Sequence, residues 1–332
     1  KNDLKSLMNM IRLFKKEKPY IVNSGTPKAG LIGTLAAFIT KRPVRIYTVR
    51  GLRLETATSF KYKILYAMEK LAMFCATDVI SVSYSLRDKI LELNLTKSDK
   101  IMVLGNGSSN GVDLSIYNRE NNNIPKSIKK ELSTNFVIGF AGRIVRDKGI
   151  YELIEAFKEL QNKHLNIKLL VLGDFEKSNS ISKKDYNYLV NNKDVILTGH
   201  VNSTANYFNH IDVLVLPTYR EGFSNVSIEA QAVGIPVITT NATGAIDTVE
   251  DGVTGFIVEK GNINEIVKNI ETLLKNQHLK EQMGENARKR VEEYYSNEVV
   301  WTFLENMYKD YIKRNWFIWK DCSIYLVHYL LL

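Results

Sequence analysis

The stretch DVLVLPTYREGFSNVSIEA, residues 212–230, joins an uninterrupted apolar run to a short polar turn and then to a helical pattern. A run such as Val213–Leu216, with no polar alternation, is the mark of a strand buried on both faces, which implies a parallel sheet. The helix is expected to begin near Ser224 or Asn225, both good N-cap residues. Two carboxylates bracket the turn: Glu221 precedes the helix and Glu229 lies about one turn inside it. A carboxylate accepts two hydrogen bonds and so matches the vicinal hydroxyls of a sugar or ribose. Two solvated surface acids are the alternative reading of the same spacing.

Working outward, the same grammar repeats along the chain. In the first half the strand candidates are YIVNS, VRIYTV, DVISVS and KIMVLG, separated by helix patterns such as KAGLIGTLAAFIT and FKYKILYAMEKLAMFCAT. In the second half they are FVIGFAG, IKLLVLGD, DVILTGHV, DVLVLPT and PVITT. A hairpin is expected at DGVTGFIVE, with Asp251-Gly252 as its turn, and helices over about 262–313. Two consecutive βαβα series predict an α/β protein of two Rossmann-like, doubly wound domains. The expected division is residues 1–117, a polar Asn- and Lys-rich linker over 118–135, a second domain over 136–296, and a helix over 297–313 packing back on the first domain. An apolar aromatic tail follows over 314–332. Ligands in such sheets bind at the carboxyl ends of strands, so the loops there carry the chemistry.

The 332 residues are 45% hydrophobic and carry a formal charge of +9. That balance suits nucleic acid, an anionic membrane face or phosphorylated small molecules. Nucleic acid is the least favoured, because the basic residues show neither aromatic interleaving nor a known module. Cys75 and Cys322 stand far apart with no CxxC, which argues against a disulfide framework or structural zinc and fits a reducing cytoplasm. The chain opens on Lys1 in mid-helix pattern, so a preceding piece is expected. The tail NWFIWKDCSIYLVHYLLL is broken by Lys320, Asp321 and His328, and falls short of a spanning helix. An interfacial element, a packed terminal helix and sequence foreign to the fold all remain open for it.

Two further loops stand at strand ends. In GFAGRIVRDKG, residues 139–149, Arg143 and Lys148 follow a strand and precede a helix. Guanidinium and ammonium together suit a diphosphate, aided by the unpaired N–H groups of a helix start, with a solvated basic turn as the alternative reading. Neither GxxxxGK[ST] nor GxGxxG is present. In LTGHV a strand ends at Gly199, where the backbone of His200 and Val201 is open to the edge of a base; an ordinary polar loop is the alternative, and for His200 the favoured, reading.

Taken together, GRIVRDKG, EGFSNVSIEA and ATGAIDTVEDGVTGFIVEKGN resemble the C-terminal domain of glycosyltransferase family 4. GTPKAGLIG, RIYTVRGLRLET, VISVSYSLRD and GNGSSNGVD resemble the branch that builds bacterial capsular, exopolysaccharide and O-antigen chains. The resemblance covers roughly residues 1–312 and rests on the set of motifs rather than on any one. It implies the GT-B architecture, two Rossmann-like domains facing a central cleft, with the first incomplete at its N-terminus. It also implies that Arg143 and Lys148, with Gly142 beside them, meet the donor diphosphate. Glu221 would face the transferred sugar and Glu229 the nucleotide ribose. Gly222, Phe223, Ser224, Asn225 and Val226 would meet the diphosphate and sugar, and His200 and Val201 the base. Thr26, Lys28, Ala29 and Gly30 would line the acceptor side. Many relatives carry a histidine where this chain has Arg50, which would contact the donor sugar or an acceptor phosphate.

The expected activity is retaining, metal-independent transfer of a sugar, an N-acetylhexosamine or relative, from a UDP-linked donor. The expected acceptor is an undecaprenyl-diphosphate-linked saccharide, so a cytoplasmic enzyme held at the inner face of the plasma membrane is expected. No cofactor and no metal are expected. Two alternatives stand beside it: a UDP-sugar 2-epimerase of the same fold, and an inactive nucleotide-sugar-binding fragment. A glycoside hydrolase using Glu221 and Glu229 fits poorly, since its acids must flank a scissile bond rather than a basic loop.

Overall fold

A computed structural model describes residues 2–120, 123–176 and 181–315. The tail from residue 316 onward lies outside the described residues. Among the described residues the chain divides into two compact units, one running to Ser109 and resuming at Val300, the other spanning Asn110–Val299.

The first unit runs α1 (Asn2–Glu17), β1 (Ile21–Gly25), α2 (Pro27–Ile39), β2 (Val44–Val49), α3 (Ser59–Cys75), β3 (Asp78–Ser81), α4 (Tyr84–Glu92) and β4 (Ile101–Val103). Its strands pair in the order β1-β2-β3-β4, all parallel, with Ile21 opposite Val44 and Val79 opposite Ile101. Ile46 and Val79 are fully buried, as the continuous apolar runs require. Gly30 on α2 lies flat on the ring of Tyr47, where an added Cβ would sit 2.2 Å from a ring carbon. Behind that contact the Tyr47 hydroxyl donates to Glu69 Oε2 at 2.8 Å, in the core.

The second unit begins with α5 (Lys126–Leu132), β5 (Phe136–Ala141), α6 (Ile150–Lys163), β6 (Ile167–Leu172), α7 (Lys183–Asn191), β7 (Val195–Gly199) and α8 (Ala205–Phe208). It continues through β8 (Val213–Leu216), α9 (Asn225–Ala232), β9 (Val237–Thr240), β10 (Gly255–Val258), α10 (Ile263–Lys275) and α11 (Gln277–Tyr294). The six strands pair in the order β10-β9-β8-β5-β6-β7, all parallel. The chain thus winds outward from β5 in one direction and from β8 in the other. A crevice opens at that reversal, beyond the carboxyl ends of β5 and β8. The helices bury the faces their periodicity marks: Leu153, Ile154, Phe157 and Leu160 of α6 have no exposed surface.

α12 (Asn297–Asn315) belongs to the first unit from Val300 on. Its Leu304, Met307, Tyr308 and Tyr311 pack against Tyr20, Ile21, Val44, Ile46 and Ile80. Asn23 also donates its amide to the Tyr308 hydroxyl at 2.7 Å.

Two features depart from the expected organisation. Asp251-Gly252 does make a turn, with the Gly252 N–H on the Gly255 carbonyl at 2.9 Å, but no hairpin follows. β10 leaves that turn and pairs parallel with β9, Gly255 opposite Val237, while the residues before it form a short 3₁₀ turn at Ile246–Thr248. The chain also changes unit at Asn110, ahead of the polar stretch. Ile124 and Leu132 within 118–135 are buried in the second unit's core, so that stretch belongs to the second unit's body.

Candidate active site

At the reversal between β5 and β8 lies a cavity of about 100 Å³. It is lined by Phe140, Ala141 and Gly142 at the end of β5, Leu216 and Thr218 at and beyond the end of β8, Lys148 and Glu221, and Phe223–Val226 at the start of α9. Lys148 Nζ donates to Glu221 Oε1, and the two side chains are about four-fifths buried.

Local structure accounts for this pairing. Gly149 adopts φ 71° and caps α6; a Cβ there would lie 1.9 Å from the Pro217 carbonyl oxygen. Only glycine allows the Lys148 loop to press against the end of β8 in this way. The two loops are then stitched together. Tyr219 N–H donates to the Asp147 carbonyl at 2.9 Å, Thr218 Oγ1 reaches the same oxygen at 3.1 Å, and Arg220 pairs with Asp147 at 3.2 Å. The Tyr219 hydroxyl donates to the buried Glu152 at 2.5 Å, and burial followed by that contact raises its pKa to about 12. On the far side, Glu221 N–H is held by the Thr243 carbonyl at 2.9 Å.

α9 begins where the sequence places it, but Ser224 accepts no hydrogen bond from the helix with its side chain. The first N–H groups of a helix lack intrahelical partners, and here Asn225 and Val226, which supply them, line the cavity. Asn225 Oδ1 is buried without a hydrogen-bond partner. An unpaired buried amide oxygen costs about 1–3 kcal/mol, so a donor brought by a ligand would relieve it.

Glu229, in the second turn of α9, does not line this cavity. Its buried carboxyl faces the hydroxyls of Tyr117 and Thr204, which hydrogen-bond each other at 3.1 Å. Burial raises the Glu229 pKa, and the two hydroxyls pull it partly back. Tyr117 is pushed up to about 12, first by burial and then by the charge of Glu229. Sequence reasoning missed both partners. Tyr117 lies 112 positions from Glu229 and was assigned to the first domain, so no local signal joins them.

Other expected residues lie elsewhere. Arg143 turns outward to Glu176 at 2.8 Å and stays 59% exposed, so of the basic pair only Lys148 reaches the cavity. Gly222 is not on the cavity wall; its carbonyl abuts Gly244, where a Cβ would meet it at 2.4 Å. The His200 N–H is taken by Asp174 Oδ1 at 3.1 Å, and Val201 packs on the core, so the pair offers less free backbone than the LTGHV pattern suggests. In the first unit Thr26, Lys28, Ala29 and Arg50 share a second cavity, of about 410 Å³, with Met10, Phe14 and Ile32. Gly30 is not among its walls, because it is spent on the Tyr47 ring.

Known proteins resemble this chain in sequence and in fold. The family model for group 1 glycosyl transferases matches residues 122–290, and that for the glycosyl transferase 4-like domain matches residues 1–107. The capsular polysaccharide biosynthesis glycosyltransferase CapM of Staphylococcus aureus is 57% identical over 95% of this chain and 83% of its own length. The Escherichia coli UDP-Gal:alpha-D-GlcNAc-diphosphoundecaprenol alpha-1,3-galactosyltransferase is 29% identical over 80% of this chain and 69% of its own. Among solved structures, HepE of Anabaena in complex with UDP superposes with a TM-score of 0.76 at 20% identity, covering 92% of this chain and 82% of that one, a likeness of fold. Sequence and fold together make this chain a member of the group 1 glycosyltransferases, in the GT-B class.

Proposed function

We propose that this glycosyltransferase works in capsular polysaccharide synthesis, moving a sugar from a UDP-linked donor to a lipid-linked saccharide with retention of anomeric configuration. The S. aureus relative supports the capsular setting, and the E. coli relative's printed activity supports a UDP-sugar donor and a diphosphoundecaprenol acceptor. The observation that carries the reading is the cavity at the β5–β8 reversal. There one cation, one carboxylate, a helix start and an unpaired amide oxygen converge.

Each group has a role fitted to its chemistry. The diphosphate takes the α9 N–H groups and Lys148, which stabilise the charge that grows on it as the glycosidic bond breaks. Glu221 and Asn225 Oδ1 accept hydroxyls of the sugar. Glu229, held by Tyr117 and Thr204, accepts the ribose hydroxyls, and the Val201 region faces the base. Arg143 is the second cation: its present partner Glu176 is an exposed ion pair, worth about 0–1 kcal/mol, so the diphosphate can draw it away at little cost. No metal is assigned to the donor, since these groups supply the positive charge. Thr26, Lys28, Ala29 and Arg50 form the acceptor side, and the sugar moved is an N-acetylhexosamine or relative.

Pre-aimed groups of this kind contribute about 3–4 kcal/mol each to lowering the barrier. Lys148→Ala is therefore expected to lower turnover at least ~100-fold while the fold persists. Radiolabelled sugar transfer to a lipid-linked acceptor measures this. Turnover near that of the parent, or release of an epimerised UDP-sugar without acceptor, overturns the reading.

A further inference from the structure

α3 of the first unit presents an apolar stripe to solvent. Phe60, Ile64, Ala67, Leu71 and Phe74 recur at the 3–4-residue spacing of one helix face, and all are exposed. Phe60 is 74% and Phe74 68% exposed, values far from those of core aromatics. The stripe runs about 21 Å along the helix. It widens at its end, where Phe74 meets Phe38 of α2 with ring centroids 6.0 Å apart and exposed Ile39 follows. Contiguous apolar patches of this kind on a protein surface mark interaction sites.

The charges around the stripe choose the occupant. Lys61, Lys63 and Lys70 flank it on α3, and Lys41 stands beyond the end of α2; all four are exposed. Arg45 lies over the Phe38 ring at 5.7 Å from its centroid. The sequence of α3 contains one acid, Glu69, and that carboxyl is turned inward to Tyr47. Two copies of this face would bring like charges together. An anionic bilayer offers both what the aromatics need and what the lysines need: apolar depth for the rings, phosphate oxygens for the ammonium groups. Among the described residues no helix is long and apolar enough to cross a membrane, so the contact is with a surface.

We infer that the exposed face of α3, with the end of α2, is the surface by which this enzyme lies on an anionic phospholipid bilayer. This deepens the proposed use of a lipid-linked acceptor, and it names the face that meets the leaflet carrying it. Aromatic side chains enter the interface while the lysines on either side meet the headgroups.

The test is sedimentation of the full chain with vesicles of phosphatidylglycerol and phosphatidylcholine, against vesicles of phosphatidylcholine alone. The parent protein is expected to bind the anionic vesicles and to leave the neutral ones largely free. Replacing Lys61, Lys63 and Lys70 together by Gln is expected to weaken partition on the order of a hundredfold, at about fivefold for each lysine. Phe60→Ser with Phe74→Ser should weaken it at least about tenfold. All five side chains are exposed, and a melting temperature within a degree or so of the parent's confirms an intact fold. UDP binding is read separately by thermal shift, so failure of the donor-site reading and failure of this one are distinguished. Absence of vesicle binding by the parent overturns the inference. So does binding that the α3 variants leave unchanged, which would place the membrane contact elsewhere, or a change of oligomeric state in those variants, which would mark the face as a contact between copies.

Discussion

Tyr117→Phe removes one oxygen atom and leaves the ring on Phe208, at 6.2 Å between centroids, undisturbed. What it takes away is one of two hydroxyls that face the buried carboxyl of Glu229 and favour its charged form. A hydrogen bond to a charged group is worth about 1.5–3 kcal/mol. Thr204 remains beside the carboxyl, so the lower end applies: about 1.5 kcal/mol, or roughly a tenfold change in an equilibrium constant. On the proposed reading Glu229 holds the ribose, which does not change as the glycosidic bond breaks, so this energy is shared by ground and transition states. It should therefore appear as a donor KM raised about tenfold with kcat nearly unaltered. A second signature follows from charge. Burial already raises the Glu229 pKa, and Tyr117 helps to pull it back, so without that hydroxyl the carboxyl titrates higher still. The acid limb of kcat/KM for the donor should then move to higher pH. Initial rates across UDP-sugar concentration and pH measure both, and in a Glu229→Gln background the substitution should add little. A fall in kcat at constant KM, or an unshifted acid limb, would refute the positioning role.

Three shorter predictions concern the scaffold and the site. Glu69 has its pKa raised by burial, so its contribution to stability is fully present below the unfolded value and is lost as pH rises through the folded one. Glu69→Gln should therefore gain melting temperature over the parent progressively as pH rises above the ordinary carboxylate range, as read by differential scanning fluorimetry; a gap independent of pH would count against it. Gly149→Ala places a Cβ 1.9 Å from the Pro217 carbonyl at φ 71°. It should cost about 2–4 kcal/mol in urea unfolding and lower turnover by displacing Lys148; a neutral substitution would mean that the loop is not so tightly seated. Excess EDTA is expected to leave transfer unchanged, and a loss restored by magnesium would show that a metal shares the diphosphate.

Much of this architecture is legible in the chain because burial on both faces writes itself as uninterrupted apolar runs. Val213–Leu216 and Val237–Thr240 are buried throughout, and α9 starts where Ser224 and Asn225 place it. The Asp251-Gly252 signature was read correctly as a turn and wrongly as a hairpin. A turn is set by local dihedral preferences, whereas the partner of β10 is set by Gly255 pressing on the backbone of Val237, a contact no short window contains. The unit boundary eluded the sequence for a related reason. The polar stretch 118–135 resembles a linker in composition, yet two of its apolar residues, Ile124 and Leu132, anchor it in the core. At the site, Lys148 and Glu221 were legible from loop position and charge, while Arg143's turn toward Glu176, the Asp174 bond to His200 and the grip of Tyr117 and Thr204 on Glu229 depend on pairings between distant elements.

The bond between Lys148 and Glu221 has a bearing on turnover as well as on chemistry. The two side chains neutralise each other in a mostly buried place, so neither can be taken without provision for the other. A bare phosphate offers oxygens to the lysine and nothing to the acid, and strands a carboxylate. An intact nucleotide-sugar provides for both at once. On the proposed reading the spent nucleotide resembles the bare phosphate again after transfer, and the lysine's return to its acid helps to expel it. On the proposed reading, the same two side chains act as a gatekeeper that admits whole donors and discharges used ones.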